Sequence, residues 1–382
     1  MSCTARTIVI VGNLGRYLPR LGCHRGWGER FVLAPHQPFP KIAAYTGGNR
    51  PRFSVMLPTH EPGEKLRMTL QSVLEQAPAR HAMQIAVVDD GSRRSDVRSL
   101  VAAVDNTGRV EIHADGPRLG ISGNWNRCIE LARGHLVHLL HQDDLVLPGF
   151  YGRMEQAFMK VPQIGMAFCR SLLVDGDGRR LKTNSRLRWW RGLLPHCLRT
   201  FAIRQRVQTP SAVVPRTTYE TLGGYRNDLC QTLDWEMWVR IAARFPVWYD
   251  PRVLAVFRRH SGSESSRLLS QGEVWPDLVR AMHVNAISFP DDHRESLVNG
   301  GAQWYAGSAL REAKRQLLRG HHEAAKHTLT HAHELIKLVT DSGRQSALVK
   351  RAGLLDHQCR AMHDAASRVA EPTPAAALRR AS

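Results

Sequence analysis

Between Phe53 and Val174 the spacing of apolar residues switches from segment to segment. Phe53-Ser-Val-Met-Leu57 is a short apolar run ended by Pro58-Thr59, and Ile85–Val88, Val110–His113, Leu136–Leu140 and Ile164–Arg170 repeat that form. Short runs of this kind, bounded by turn formers, predict buried strands. The stretches between them carry a helical period. Leu66, Leu70, Val73 and Leu74 share one face, and further helices are predicted over Arg94–Val104, Ser122–Ala132 and Pro148–Lys160. Strands alternating with helices predict an α/β domain of βαβ units, with a mostly parallel mixed sheet flanked by helices.

After Val174 the regularity is lost. Residues 175–206 open on the turn Asp175-Gly-Asp-Gly178 and are expected to be a loop. Pro210–Pro215 suits a strand lining a cleft. Thr217–Leu222 suits a short helix stopped by Gly223-Gly224, Leu233–Arg244 a helix, and Val253–Phe257 a last strand. From Leu268 the texture is helical: Trp304, Ala309, Ala313 and Leu317 mark one helix, Gly320 breaks it, and Ala324 to Leu338 marks a second. One such hairpin does not establish a repeat array. Near the start, Thr7–Gly12 reads as a strand, but the Gly12-to-Gly15 spacing lacks the third glycine of a dinucleotide fingerprint. The resulting division is an extension (1–50), an α/β domain (51–266), a helical region (267–365) and an Ala-, Pro- and Arg-rich tail (366–382) expected to be disordered.

Composition narrows the class. A chain of 382 residues can bury a sizeable core. No apolar run approaches the roughly 18 residues needed to cross a bilayer. Ile8–Val11 is also shorter than the roughly 7 residues of a signal-peptide core. Seven scattered cysteines show no metal-ligating or disulfide spacing, as expected of a reduced, cytoplasmic protein. The net charge of +19 is unevenly spread: nine Lys or Arg and no Asp or Glu lie between Arg179 and Arg206, around Trp189-Trp190. Basic side chains attract anionic surfaces, and Trp favours the membrane interface. The segment is therefore either a membrane-surface contact or a solvated face of an Arg-rich chain. Nucleic acid is not an expected partner, because no helix-turn-helix, zinc-finger or RNP signature accompanies the charge.

Three carboxylate clusters carry the candidate chemistry: Asp89-Asp90-Gly91-Ser92, His141-Gln142-Asp143-Asp144 and Leu233-Asp234-Trp235-Glu236. The first two follow predicted strands, whose C-terminal ends border the ligand crevice in open α/β sheets. Several segments fall in an order and spacing that resembles family 2 glycosyltransferases of the GT-A fold. They are Phe53–His60, Leu70–Gln76, Val87–Ser92, Gly120–Gly134, His141–Asp144, Leu222–Tyr225, Asp234–Trp238 and Phe257–Ser261. The resemblance covers about residues 52–266.

That resemblance implies an inverting, metal-dependent transfer of a sugar from a nucleotide-diphosphate sugar to a hydroxyl acceptor. The acceptor would be a lipid-linked saccharide in bacterial polysaccharide assembly, at the inner membrane face. Pro58, Thr59 and His60 would line the nucleotide site, with His60 where the family often has Tyr, and Asp90 would accept a hydrogen bond from the base. Asp143 and Asp144 match the end of the metal-binding Asp-X-Asp motif, whose first Asp is His141 here. Asp143 would hold ribose or metal, and Asp144 the Mn²⁺ or Mg²⁺ ion. Arg258 would clamp the diphosphate, with Arg259 beside it, and His260 would complete the metal shell. Asp234 is the expected general base, and Glu236, two residues on, lies off that helix face. Asp89 is expected to cap the following helix. His321-His322 and the pair His327 and His331 are expected on a solvated helix face. An alternative is a nucleotide-sugar-binding scaffold without turnover. A nucleotidyltransferase would need a Gly- and Lys-rich phosphate loop, which Pro58–Lys65 does not provide.

Overall fold

The alternating pattern builds a ten-stranded mixed sheet. In the computed structural model, which describes residues 39–260 and 274–370, β1 (Phe53–Thr59), β2 (Met83–Asp89), β3 (Glu111–His113) and β4 (Leu136–Leu139) are parallel in the order β3-β2-β1-β4. Every residue of β1, β2 and β4 is buried. One face packs Val55, Leu57, Ile85 and Val87 against α1 (Glu64–Leu74), α2 (Val97–Ala102) and α4 (Phe150–Lys160). Outside that cluster, α3 (Gly120–Leu131) lies against β1 and β2. Burial on both faces is why these strands read as continuous apolar runs.

The sheet continues through β6 (Met166–Val174), β9 (Ala212–Pro215) and β10 (Val247–Arg258). β9 is antiparallel to both β4 and β6, so β6 and the parallel β10 run in the same direction as β1–β4. The C-terminal ends of six strands therefore share one edge. β5 (Leu145–Val146) and β8 (Gly192–Leu193) pair antiparallel with β10, and β7 (Arg180–Thr183) with β6.

Several expectations change. β1 runs through Pro58 to Thr59 rather than ending before them. Its pairing with β4 stops at Met56, so the missing Pro58 N–H costs no ladder bond on that side. The first helix of the second βαβ unit is α2, shorter than Arg94–Val104, and Asp96 caps it by accepting from Ser99 N at 3.1 Å. Asp89 does not cap that helix. Residues 175–206 hold β7, β8 and α5 (Cys197–Ile203); their strands exist by pairing with β6 and β10, which leaves no period to read in the segment itself. β10 starts six residues before Val253, across a bulge.

Among its described residues the helical region contains four helices rather than the two expected: α8 (Val274–Ser288), α9 (Asp291–Leu318), α10 (His322–Lys337) and α11 (Ser342–Ala370). The last passes the tail boundary set at 366. α9 packs on α5, and α8 packs on α7 (Leu233–Ala242). Residues 39–50, within the expected extension, lie against the turn after α6 (Arg216–Leu222). Gly224 N donates to Pro40 O at 2.7 Å, and Arg240 stacks 3.9 Å from the Phe39 ring centre. Gly223 has φ +87°, and a Cβ there would sit 2.8 Å from Pro40 O, so glycine is required on both counts. The strand read at Thr7–Gly12 and the tail from 371 lie outside the described residues.

Candidate active site

Parallel register sets Thr59 beside Asp89 at the shared strand edge. Asp89 accepts from Thr59 Oγ1 (3.1 Å), Ser92 N (2.7 Å) and Ser92 Oγ (2.6 Å), so it shapes the Asp89–Ser92 loop. Asp90 is the residue that meets a helix terminus: its oxygens accept Leu119 N at 2.6 Å and Gly120 N at 3.0 Å, where α3 begins. Each oxygen keeps a lone pair for a further donor. His60 Nδ1 lies 3.1 Å from Asp90 O. Gln142 bonds both backbone polar atoms of His60, accepting from its N–H at 2.9 Å and donating to its carbonyl at 3.1 Å. The loops after β1, β2 and β4 are thus laced together, with Pro58, Thr59, His60 and Asp90 on one side of the crevice.

The second cluster is buried and electrically tense. Asp144 is fully buried; its Oδ1 accepts Arg258 N at 2.9 Å, and its Oδ2 has no hydrogen-bond partner and lies 3.5 Å from His141 Nδ1. Burial pushes the Asp144 carboxyl up to about 6. Burial also disfavours charge on His141, but Asp144, Asp143 and Asp234 together raise its basicity. His141 packs against Trp125 with ring centres 4.7 Å apart, and its Nε2 is buried without a partner. Asp143 is likewise pushed up by burial, but the hydrogen bond to His260 Nε2 at 2.8 Å and the charge of His141 prevail and hold it below the usual carboxylate range. Arg258 Nε donates to Asp143 O at 3.0 Å and its Nη1 to Gly176 O at 3.4 Å. No three His, Cys, Asp or Glu side chains among the described residues converge as a ready metal cluster. The orphaned Asp144 Oδ2 beside Asp143 nevertheless fits a divalent ion that takes its remaining ligands from phosphate and water.

Asp234 lies in the first turn of α7 and is 8% exposed. Its Oδ2 accepts Gln205 Nε2 at 2.6 Å and Thr209 Oγ1 at 3.3 Å, and its Oδ1 accepts Trp235 N at 2.7 Å. Burial pushes this carboxyl up to about 6 as well. Its electrostatic coupling to His141 joins the third cluster to the second. Glu236 points elsewhere, bound to Arg240 at 2.9 and 2.8 Å, while Arg240 also holds the carbonyls of Leu222 and Gly224. The sequence offered no sign of Gln205, Thr209 or Tyr305, whose hydroxyl accepts Gln205 N at 2.9 Å. Gln142 was visible inside the second cluster, as the one neutral polar residue among its acids. His331 pairs with Glu334 at 2.8 Å, and its ring lies 4.8 Å from that of His327, on the α10 helix.

Known proteins match this chain in sequence and in the arrangement of strands and helices. The family model for glycosyl transferase family 2 matches residues 54–214. An uncharacterized protein of Mycobacterium tuberculosis is 31% identical over 232 residues, spanning 58% of this chain and 71% of that protein. Among solved structures, S. aureus TarS in complex with UDP-GlcNAc aligns with TM-score 0.59 at 13% identity, over 83% of this chain and 92% of the other. The same protein in complex with UDP aligns with TM-score 0.54 at 12% identity, over 83% and 91%. At such identities the structural likeness speaks for the fold. The chain belongs to glycosyl transferase family 2 and has the GT-A fold with a helical C-terminal region.

Proposed function

We propose that the protein is an inverting, metal-dependent glycosyltransferase that moves a hexose-type sugar from a nucleotide-diphosphate sugar to a hydroxyl acceptor. The observation that carries this is Asp234: a buried carboxylate with a raised proton affinity, facing the second acidic cluster across His141. The base would rest against His60 with Pro58 and Thr59 beneath it, and Asp90 would take its N–H. Crystals of S. aureus TarS hold UDP-GlcNAc and UDP, which supports a diphosphate donor of this kind here.

The acceptor oxygen attacks the anomeric carbon from the face opposite the leaving group, the carbon–oxygen bond to the diphosphate breaks, and the acceptor proton passes to Asp234. Asp234 Oδ1, bonded only by the Trp235 N–H among the contacts that hold this carboxylate, has room for that proton. Arg258 would offset charge on the departing diphosphate. Asp144, Asp143 and His260 would hold a Mn²⁺ or Mg²⁺ ion, which supplies electrostatic stabilisation to the same leaving group. The acceptor would be a lipid-linked saccharide of a bacterial surface polysaccharide. Among the described residues the free thiols of Cys128, Cys169, Cys197 and Cys359 suit a reducing, cytoplasmic setting.

A thermal-shift screen of UDP-, GDP- and dTDP-sugars, each with and without Mn²⁺, tests the proposal. Metal-dependent stabilisation by one nucleotide class, with turnover of that donor, is the expected result. Nucleotide binding that ignores Mn²⁺ and leads to no turnover would replace it with the scaffold alternative.

A further inference from the structure

The segment between β6 and β9 presents a surface that glycosyl transfer itself does not require. Trp189 and Trp190 are 76% and 64% exposed, an unusual cost for two indoles in water. Each is covered on one ring face by a guanidinium: Arg186 stands 4.1 Å from the Trp189 ring centre and Arg188 stands 5.0 Å from that of Trp190. Leu193 on β8, whose carbonyl accepts from Arg188, is exposed beside them. Arg191 Nη1 bonds Gln156 Oε1 at 2.9 Å, which brings in the α4 face carrying exposed Met159 one turn on. The segment 179–206 that carries these indoles holds nine basic residues and no acidic one. Among the described residues the one carboxylate ion-paired to any of them is Asp177, 2.8 Å from Arg179.

We infer that the face around Trp189 and Trp190 is a docking face for an anionic lipid bilayer. Exposed indoles and aliphatic side chains enter the interfacial layer, while the unneutralised Arg and Lys side chains meet lipid phosphates. Stacking on the Trp faces keeps Arg186 and Arg188 beside the inserted rings, so apolar and cationic groups arrive together. Solvation alone explains the cations but not the two bare indoles among them. Nucleic acid would also satisfy the charge, yet Leu193 and Met159 offer it nothing. The docking itself does not rest on the proposed function.

The test is flotation of the full chain with phosphatidylcholine vesicles, with and without about 30% phosphatidylglycerol, at two ionic strengths. The protein is expected to float with the anionic vesicles alone, to lose binding as salt rises, and to show a blue shift in Trp fluorescence. Arg186→Glu with Arg188→Glu should weaken partitioning at least about tenfold, at roughly 1 kcal/mol per basic residue. Trp189→Ser with Trp190→Ser should remove the blue shift, and both variants should melt as the wild type does and hydrolyse donor at its rate. Equal binding to neutral vesicles, wild-type partitioning by the Arg variant, or tighter binding to an RNA or DNA oligonucleotide at the same salt would overturn the inference. Failure of donor turnover with vesicle binding intact would count against the glycosyltransferase proposal alone.

Discussion

Asp234 and Glu236 stand two residues apart on one helix, are both buried, and differ in their company. Glu236 is locked to a guanidinium, whereas every hydrogen-bond donor to Asp234 is neutral: an amide, a hydroxyl and a backbone N–H. A carboxylate that must accept a proton is hindered by a cation bonded to it, so the neutral shell suits a base. The sign of the pH dependence follows. As the proposed base, Asp234 would act when ionised, and burial lifts its carboxyl from an ordinary 3.8 to about 6. kcat/KM should therefore rise about tenfold between about pH 5 and pH 7, half-maximal near 6. A rate profile flat across that range would remove Asp234 from the base role. The residue itself was legible, because it lies in a recognisable acidic cluster. Its shell was not: Gln205 sits between two arginines in a segment without period, and only folding brings it to Oδ2. Asp90 shows the converse, a residue found by pattern whose contact with the α3 terminus needed coordinates.

At the level of elements, the helix that carries Asp234 is positioned from outside the family-like stretch. Asp277 on α8, 2% exposed, accepts Cys230 N, Gln231 N and Thr232 N at 3.0, 2.9 and 2.8 Å, together with Thr232 Oγ1 at 2.8 Å. It thereby fixes the turn into α7, whose N-cap Thr232 makes no side-chain cap bond of its own. Tyr305 on α9 does the same for Gln205 and packs its ring 5.0 Å from Trp235. The helical region is thus part of the scaffold that holds the proposed base. Asp277→Ala would leave three backbone donors without their acceptor and should destabilise the protein by about 3–5 kcal/mol in denaturant unfolding. Tyr305→Phe removes a single acceptor and should lower kcat several-fold with little change in melting temperature or in nucleotide affinity. If Tyr305→Phe altered nucleotide affinity and left kcat unchanged, α9 would be acting on the donor site instead. The sequence showed α8 and α9 as helical texture. Which face would meet α7 depends on partners more than forty residues away, and no local period encodes that.

At the scale of the molecule, legibility tracked burial on both faces. β1, β2, β4 and their helices were readable because each is shaped by its own apolar period. β7, β8 and the first half of β10 were not, because they form by pairing with strands distant in sequence. The fold gathers three separated acidic clusters at the edge where six strands end. The division of labour proposed there is a nucleotide and metal site on the loops after β1, β2 and β4, and a base on α7. The most direct test is ¹H NMR of the sugar first released from an α-linked nucleotide-diphosphate donor, with wild type and Asp234→Asn compared at equal nucleotide occupancy. The β-anomer should appear first from the wild type, and the variant should release sugar about 10²–10⁴-fold more slowly while still binding nucleotide. Appearance of the α-anomer first, or an unchanged rate in the variant, would contradict an inverting mechanism with Asp234 as its base.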